Sequence, residues 1–364
     1  MKHVTFILTN DFFPDVRVYK EAKHLVENGF KATILCWHRD VSRELPEHEI
    51  LDGIELIRYK LPSVYGTGLK QIGAFWKYIE KCKGYLKSHD TDYLHCNDID
   101  GAVAGYIANK KKVPFVFDMH EFYEKGSSFR RAATRSVVIF FLKRSIAGLY
   151  ENAAYLSDDY KSVRQKLHPL RNYPDAGMVK YLPKTESDVF RVAYHGVVRQ
   201  YEEFIALFDA VKDMPDVRVD INGSGMMVAA LKEKEKEYQN VHVNGPYNGL
   251  TESTRIYSET DALFCGYDAS DPNYQGDAEV IKFYEAICTG TPMIMTAGIG
   301  MAEKIEKRHF GVTCDTKNSE SIKNAVLMLK NNHALWTIFH NSELKAASDY
   351  TWDIAVKVLD AIYR

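Results

Sequence analysis

The chain has 364 residues, enough for about two domains of ordinary size. Its 46% apolar content suits a folded protein, and a formal net charge of −2 excludes a global pull toward nucleic acid or a membrane surface. The six cysteines form no C-x-x-C pair, so reduced, mostly buried thiols in a cytoplasmic protein are expected.

The opening run MKHVTFILTNDF is too short for a signal peptide and reads as a strand over Val4–Thr9. A loop follows at Asn10–Asp15, then a helix over Val16–Asn28 closed by Gly29, then a strand over Lys31–Trp37. Strand, helix and strand in that order predict a parallel sheet, with ligands met by the loop after the first strand. That loop region carries Asp11, Asp15 and Arg17 but no G-x-G-x-x-G, which argues against a dinucleotide there. Ile54–Tyr59 continues the sheet, Leu69–Lys87 is helical, and Tyr93–Asn97 is a strand running into Asp98-x-Asp100. Such an acidic pair is a weak metal signal by itself. Pro114–His120 is the next strand and delivers His120 to the sheet's carboxyl edge.

Phe129–Tyr150 reads as one helix, with Arg130, Arg131, Arg135, Lys143 and Arg144 around the apolar run Val137–Leu142. At 100° per residue those five basic groups spread around the wheel, which favours a buried helix and leaves peripheral membrane contact through 129–150 open. No run approaches the roughly 18 residues of a membrane span. Ala154–Ser157 is strand-like and Asp159–Leu167 helical, after which periodicity fades through Pro174 and Pro183. The predicted boundaries are a first domain at 1–172, a linker at 173–189, a second domain at 190–350 and a closing helix at 351–364.

The second domain alternates again. Strands are expected at Phe190–Tyr194, Val217–Asn222, Val241–Asn244, Ala262–Tyr267, Met293–Met295 and Gly311–Cys314, with helices between them. Gly196 follows the first of these strands, with Arg199 close behind, and Gly223-Ser224-Gly225 follows the second. Glycines there would let backbone approach a phosphate. The stretch GDAEVIKFYEAICTGTPMI becomes helical at about Ala278 and stops at Gly290, with Pro292 beyond it. If Asp277 and Glu285 both lie on that helix they stand about 12 Å apart. That is too far for a glycosidase carboxylate pair and suits two parts of one extended ligand.

Acid, seven residues, Glu, Gly-x-Pro and an apolar strand resemble the E-x7-E signature of retaining GT-B glycosyltransferases of family 4, with Asp277 in place of the usual Glu. The segments NDFFPDVRVYKEAKHLVENGF and DMHEFY, the turn Asn172–Pro174, and the order of Gly196, Gly223, Gly225 and the acid-x7-Glu helix extend the resemblance over nearly the whole chain. It implies two Rossmann-like doubly wound parallel-sheet domains with a central cleft, and a nucleotide-diphosphate sugar as donor. It assigns the donor to Gly196, Arg199, Gly223, Gly225, Ala278, Glu279, Lys282 and Glu285, and sugar hydroxyls to Asp277. His120 would contact the sugar, oriented by Glu121, and Asp15, Arg17, Asp98 and Glu121 would face a glycan or lipid-linked acceptor. The last helix would cross back onto the first domain. No cofactor or metal is expected, and the work implied is polysaccharide or glycoconjugate assembly. The chain departs from the family where an Arg and a Lys usually meet the diphosphate: Val197 and Val198 follow Gly196, and Glu203 stands near the expected Lys. A non-catalytic nucleotide-sugar-binding partner and a GT-B-fold 2-epimerase are the alternatives.

Overall fold

Six consecutive buried residues, His3–Leu8, form the first strand, and a strand apolar on both faces needs helices on each side. The computed structural model describes every residue except 14, 64–70, 121–122, 125, 152–157, 185–186, 272–273 and 275–279. The chain divides into unit 1, Met1–Asn172 with Ala355–Arg364, and unit 2, Tyr173–Ile354.

The strands of unit 1 are β1 (His3–Leu8), β2 (Lys31–His38), β3 (His48–Leu51), β4 (Ile54–Lys60), β5 (Tyr93–Asn97), β6 (Phe115–Met119), β7 (Ala147–Tyr150) and β8 (Leu167–Pro169). They lie in the order β3-β4-β2-β1-β5-β6-β7-β8, parallel except for the β3–β4 hairpin. Helices α1 (Val16–Glu27), α2 (Ile72–Ser88), α3 (Asp98–Ala108) and α4 (Ser128–Arg144) pack on it. Strand order reverses between β1 and β5, so the loop after β1, Asp98 after β5 and His120 after β6 gather at one carboxyl edge.

Unit 2 holds β9 (Phe190–His195), β10 (Val217–Asn222), β11 (Val241–Gly245), β12 (Ala262–Cys265), β13 (Met293–Thr296) and β14 (Gly311–Cys314). These form an all-parallel sheet in the order β11-β10-β9-β12-β13-β14. Its helices are α5 (Glu202–Val211), α6 (Val228–Lys234), α7 (Ser253–Ser258), α8 (Ile281–Thr289), α9 (Gly300–Arg308), α10 (Ser319–Asn331) and α11 (His333–Ala346). The order reverses between β9 and β12, which places the loop after β9 beside the start of α8. As expected, α8 stops at Gly290, whose φ of 62° is left-handed. A Cβ there would stand 2.6 Å from the His340 ring. All six cysteines are free thiols, and all but the half-buried Cys288 are buried.

Several elements differ from the sequence reading. The helix expected over Phe129–Tyr150 ends at Arg144, and Ala147–Tyr150 is strand β7. Gly148 permits that strand, since a Cβ there would meet the Leu142 side chain at 2.2 Å. The helix expected over Asp159–Leu167 is a 3₁₀ helix, Asp158–Lys166, running straight into β8. The closing helix is two short ones, α12 (Trp352–Ala355) and α13 (Lys357–Ile362). The helix placed at about Ala278 is described only from Ile281, because Val280 is extended at φ −102°, ψ 152°. The 12 Å helical spacing of Asp277 and Glu285 therefore does not apply, and Asp277, Ala278 and Glu279 lie outside the described residues, as does Glu121.

Candidate functional site

In unit 2 the extended Val280 makes Lys282 the second residue of α8. Its side chain turns under the β9 loop and is 7% exposed. Nζ lies 3.5 Å from the Tyr194 ring centroid. A Cβ on Gly196 would approach Nζ to 3.3 Å, so glycine keeps the space above the amine clear. Among the described residues no carboxylate pairs with Lys282. Burial chiefly, with the Arg199 charge adding to it, pulls its pKa down to about 8. Arg199 itself is exposed on the same loop. One turn along α8, buried Glu285 accepts a hydrogen bond from Tyr257 Oη at 2.9 Å. Tyr257 packs edge-on against His195, centroids 4.6 Å apart. His195 is held by Thr260 Oγ1 at 3.1 Å and Asn222 Nδ2 at 3.2 Å. Burial and then Lys282 lower the His195 pKa to about 3, so the imidazole is neutral. Asn222 and Thr260, with Tyr247, also line a polar cavity of about 490 Å³.

The structure thus brings Gly196, Arg199, Lys282 and Glu285 together. Gly223 and Gly225 are also required within the protein. A Cβ on Gly223 would lie 1.7 Å from Gly196 O, and one on Gly225 2.2 Å from Val198 O. Their close approach is to the protein's own β9 loop, where Val198 N–H donates to Ser224 O at 2.8 Å. Sequence reasoning missed His195, Tyr194 and Tyr257; the adjacency of Tyr194 and His195 to Gly196 was the available signal.

In unit 1, Asp15 caps α1, accepting from Val18 N–H at 3.2 Å. Arg17, expected to face an acceptor, is buried. It donates to Asp118 Oδ1 at 2.8 Å and Leu170 O at 3.0 Å, and Nε lies 3.1 Å from Glu21. The far side of Asp118 meets His120, Nε2 to Oδ2 2.7 Å. Burial would lower the His120 pKa, but Asp118 and then Asp98 outweigh it and raise it to about 10. Burial favours the neutral form of Asp118 too, yet Arg17 and His120 hold it well below the usual carboxylate range. Burial and then Asp118 push Glu21 well above that range, so Glu21 carries the proton. Asp98 has a strained φ of 60°. It accepts from His120 N–H at 3.3 Å and also from Tyr123 Oη.

Comparison with curated proteins gave no match. Residues 15–156 match the sequence profile of Glycosyltransferase Family 4. Sucrose-phosphate synthase from Thermosynechococcus elongatus superposes with a TM-score of 0.76 at 14% identity, covering 100% of this chain and 98% of that one. Anabaena HepE, in complex with UDP and glucose, gives 0.68 at 14% identity, with 99% and 98% covered. WaaG, a glycosyltransferase involved in lipopolysaccharide biosynthesis, gives 0.64 at 15% identity, with 100% and 99% covered. The chain has the two-domain fold of the GT-B glycosyltransferases, and its residues 15–156 resemble family 4.

The unit 2 site offers a buried cation, a helix start with no side-chain cap among the described residues and a carboxylate acceptor, a set suited to a ligand with phosphates and hydroxyls. The described side chains grouped closely enough to hold a metal ion are Glu21, Asp118 and His120, whose donor atoms lie within 4.8 Å of one another. Arg17 and protonated His120 already neutralise that cluster, so a divalent cation would first have to expel a proton and face a guanidinium. Among the described residues no helix is long and apolar enough to cross a membrane.

Proposed function

We propose that the enzyme transfers a sugar from a nucleotide-diphosphate sugar to a hydroxyl acceptor, with retention at the anomeric carbon. The observation that carries this is Lys282, a desolvated cation without a carboxylate partner among the described residues, set at a helix start beside Gly196. Breaking the sugar–phosphate bond leaves charge on the diphosphate, which donors and cations fixed beforehand stabilise. Lys282, Arg199 and the first N–H groups of α8 supply them. Glu285 accepts from ribose hydroxyls, Asp277 holds sugar hydroxyls, and protonated His120 donates to the sugar. The departing diphosphate oxygen takes the acceptor proton as the new bond forms on the same face. HepE with bound UDP makes a uridine-diphosphate sugar the first donor to try. The likeness to WaaG, a glycosyltransferase involved in lipopolysaccharide biosynthesis, supports a glycan or lipid-linked acceptor.

Thermal shifts with UDP, GDP, ADP and TDP in chelator test this. One nucleotide should stabilise the chain, by about 2.7 kcal/mol at 100 times its dissociation constant. Glu285→Ala should abolish most of that shift. Stabilisation by none of them would sink the donor assignment and favour the second reading, a non-catalytic partner. That reading draws on Glu203, which is buried and has Lys317 3.7 Å away, where the family usually has a cation. A shift that appears only on restoring magnesium would overturn metal independence.

The outer face of α4 supports peripheral membrane contact. Phe129 is 83% exposed, Val137 and Phe140 are also exposed, and Arg130, Arg131 and Lys143 are exposed on the same helix. Arg135, by contrast, is turned inward onto Glu124. Phe129→Ser/Phe140→Ser should cut co-sedimentation with anionic vesicles several-fold; equal sedimentation would remove the membrane from the proposal.

A further inference from the structure

Residues 355–364 return a tyrosine to the interior of unit 1. Tyr363 is buried, and its hydroxyl lies 2.7 Å from His95 Nδ1. Its ring packs edge-on against Tyr93 and Phe30, centroids 5.3 and 6.3 Å away. His95 is fully buried on β5 and stacks on Phe6 at 4.6 Å. Its other nitrogen, Nε2, faces Glu21 Oε2 at 3.2 Å and Asp118 Oδ2 at 3.6 Å. Asp118 Oδ2 is the atom that holds His120 at 2.7 Å. A continuous line of polar atoms therefore runs from Tyr363 to His120, across three elements.

We propose that Tyr363 and His95 are positioning residues for His120: the tyrosine fixes the His95 tautomer, and His95 in turn supplies the donor behind Asp118. A phenol in a dry pocket donates its hydrogen to the nearest acceptor, which puts the lone pair of His95 on Nδ1 and the proton on Nε2. That N–H aims its dipole at Asp118 Oδ2 from 3.6 Å, beside the direct bonds from Arg17 and His120. Without the phenol the other tautomer can form, its Nε2 lone pair accepting from protonated Glu21, and the N–H facing Asp118 is lost. The groups facing His120 are Asp118 on β6, Asp98 at the start of α3, Arg17 and Glu21 on α1, and Glu151 after β7. His95 and Tyr363 touch none of the substrate-facing edge, so their effect passes through Asp118. That His120 serves transfer rests on the function proposed above; that its proton is governed from Tyr363 does not.

The test is nitrogen-15 NMR of the full chain with labelled histidines. The native protein should show His95 protonated on Nε2. Tyr363→Phe, which removes only the hydroxyl, should mix the tautomers. It should also raise the His120 titration by roughly half a pH unit, since Asp118 then loses the N–H dipole facing it. His95→Leu should move His120 in the same direction, and His95→Gln, which keeps a donor and an acceptor, should restore it. An unmoved His120 titration in both Tyr363→Phe and His95→Leu would overturn the proposal. A moved titration beside an unmoved pH profile of turnover would keep the positioning role and remove His120 from the transfer reaction.

Discussion

Lys282→Met should lower turnover by about 10²–10³-fold, the usual cost of removing one fixed donor from a developing anion. The same variant should be the more stable protein before substrate binds. Burying the ammonium lowers its pKa from 10.5 to about 8, so the unfolded chain holds that proton more tightly than the folded one. Stability attributable to this group is at its lowest below pH 8 and recovers as pH rises toward 10.5. Methionine removes the cost, and after loss of the contact with the Tyr194 face the net gain is on the order of 2 kcal/mol. Urea unfolding of the free protein at neutral pH measures it. A gain in stability with a loss of turnover marks a group kept for function. Nucleotide affinity should also weaken above about pH 8 in the native enzyme as Lys282 deprotonates, and Lys282→Arg should hold it. Loss of stability in Lys282→Met with unchanged turnover would make Lys282 a packing residue and leave the diphosphate to Arg199 alone.

The alternation of strands and helices was legible because parallel strands buried on both faces leave unbroken apolar runs, as at Met293–Thr296. The β3–β4 hairpin has no such run, since the β3 residues of this edge strand are half-buried or exposed. Its signal was Asp52-Gly53, both at positive φ, a two-residue turn that pairs Leu51 with Ile54. Strand β7 hid behind the apolar end of α4, where short strands and buried helix read alike. At the candidate site, Lys282 and Glu285 were readable because they sit three residues apart on one short helix. Gly223 and Gly225 were seen, but their packing against the β9 loop was not, since a glycine required by backbone and one required by phosphate leave the same letter. The charge network of unit 1 was not legible. His95 and Tyr363 are 268 residues apart, Arg17 and Asp118 101, and nothing local announces either pair.

Asp118→Asn tests how that network shares its charge. Asp118 neutralises Arg17 at 2.8 Å and His120 at 2.7 Å, both largely removed from water. Losing one partner of a buried pair ordinarily costs about 3–5 kcal/mol. Here Glu21 is a second carboxyl beside Arg17, kept protonated by burial and by Asp118. Asparagine removes that second cause, so Glu21 can ionise and take over the guanidinium. The single variant should therefore lose only about 2 kcal/mol near neutral pH. It should lose more as acid keeps Glu21 neutral. Glu21→Gln alone should cost little, because the group it replaces is already uncharged. Together the two substitutions leave Arg17 without its counter-charges and His120 with Asp98 alone, and the loss should exceed the sum of the singles by about 1–3 kcal/mol. His120 shows the same coupling. Its pKa of about 10 is contingent on Asp118, so its share of stability is complete below about pH 6.5 and fades as pH rises through 10. In Asp118→Asn that alkaline fade should shrink to the part Asp98 sustains. Additive losses in denaturant across the pH range would mean that Glu21 does not act as the reserve carboxylate and that Asp118 alone holds both cations.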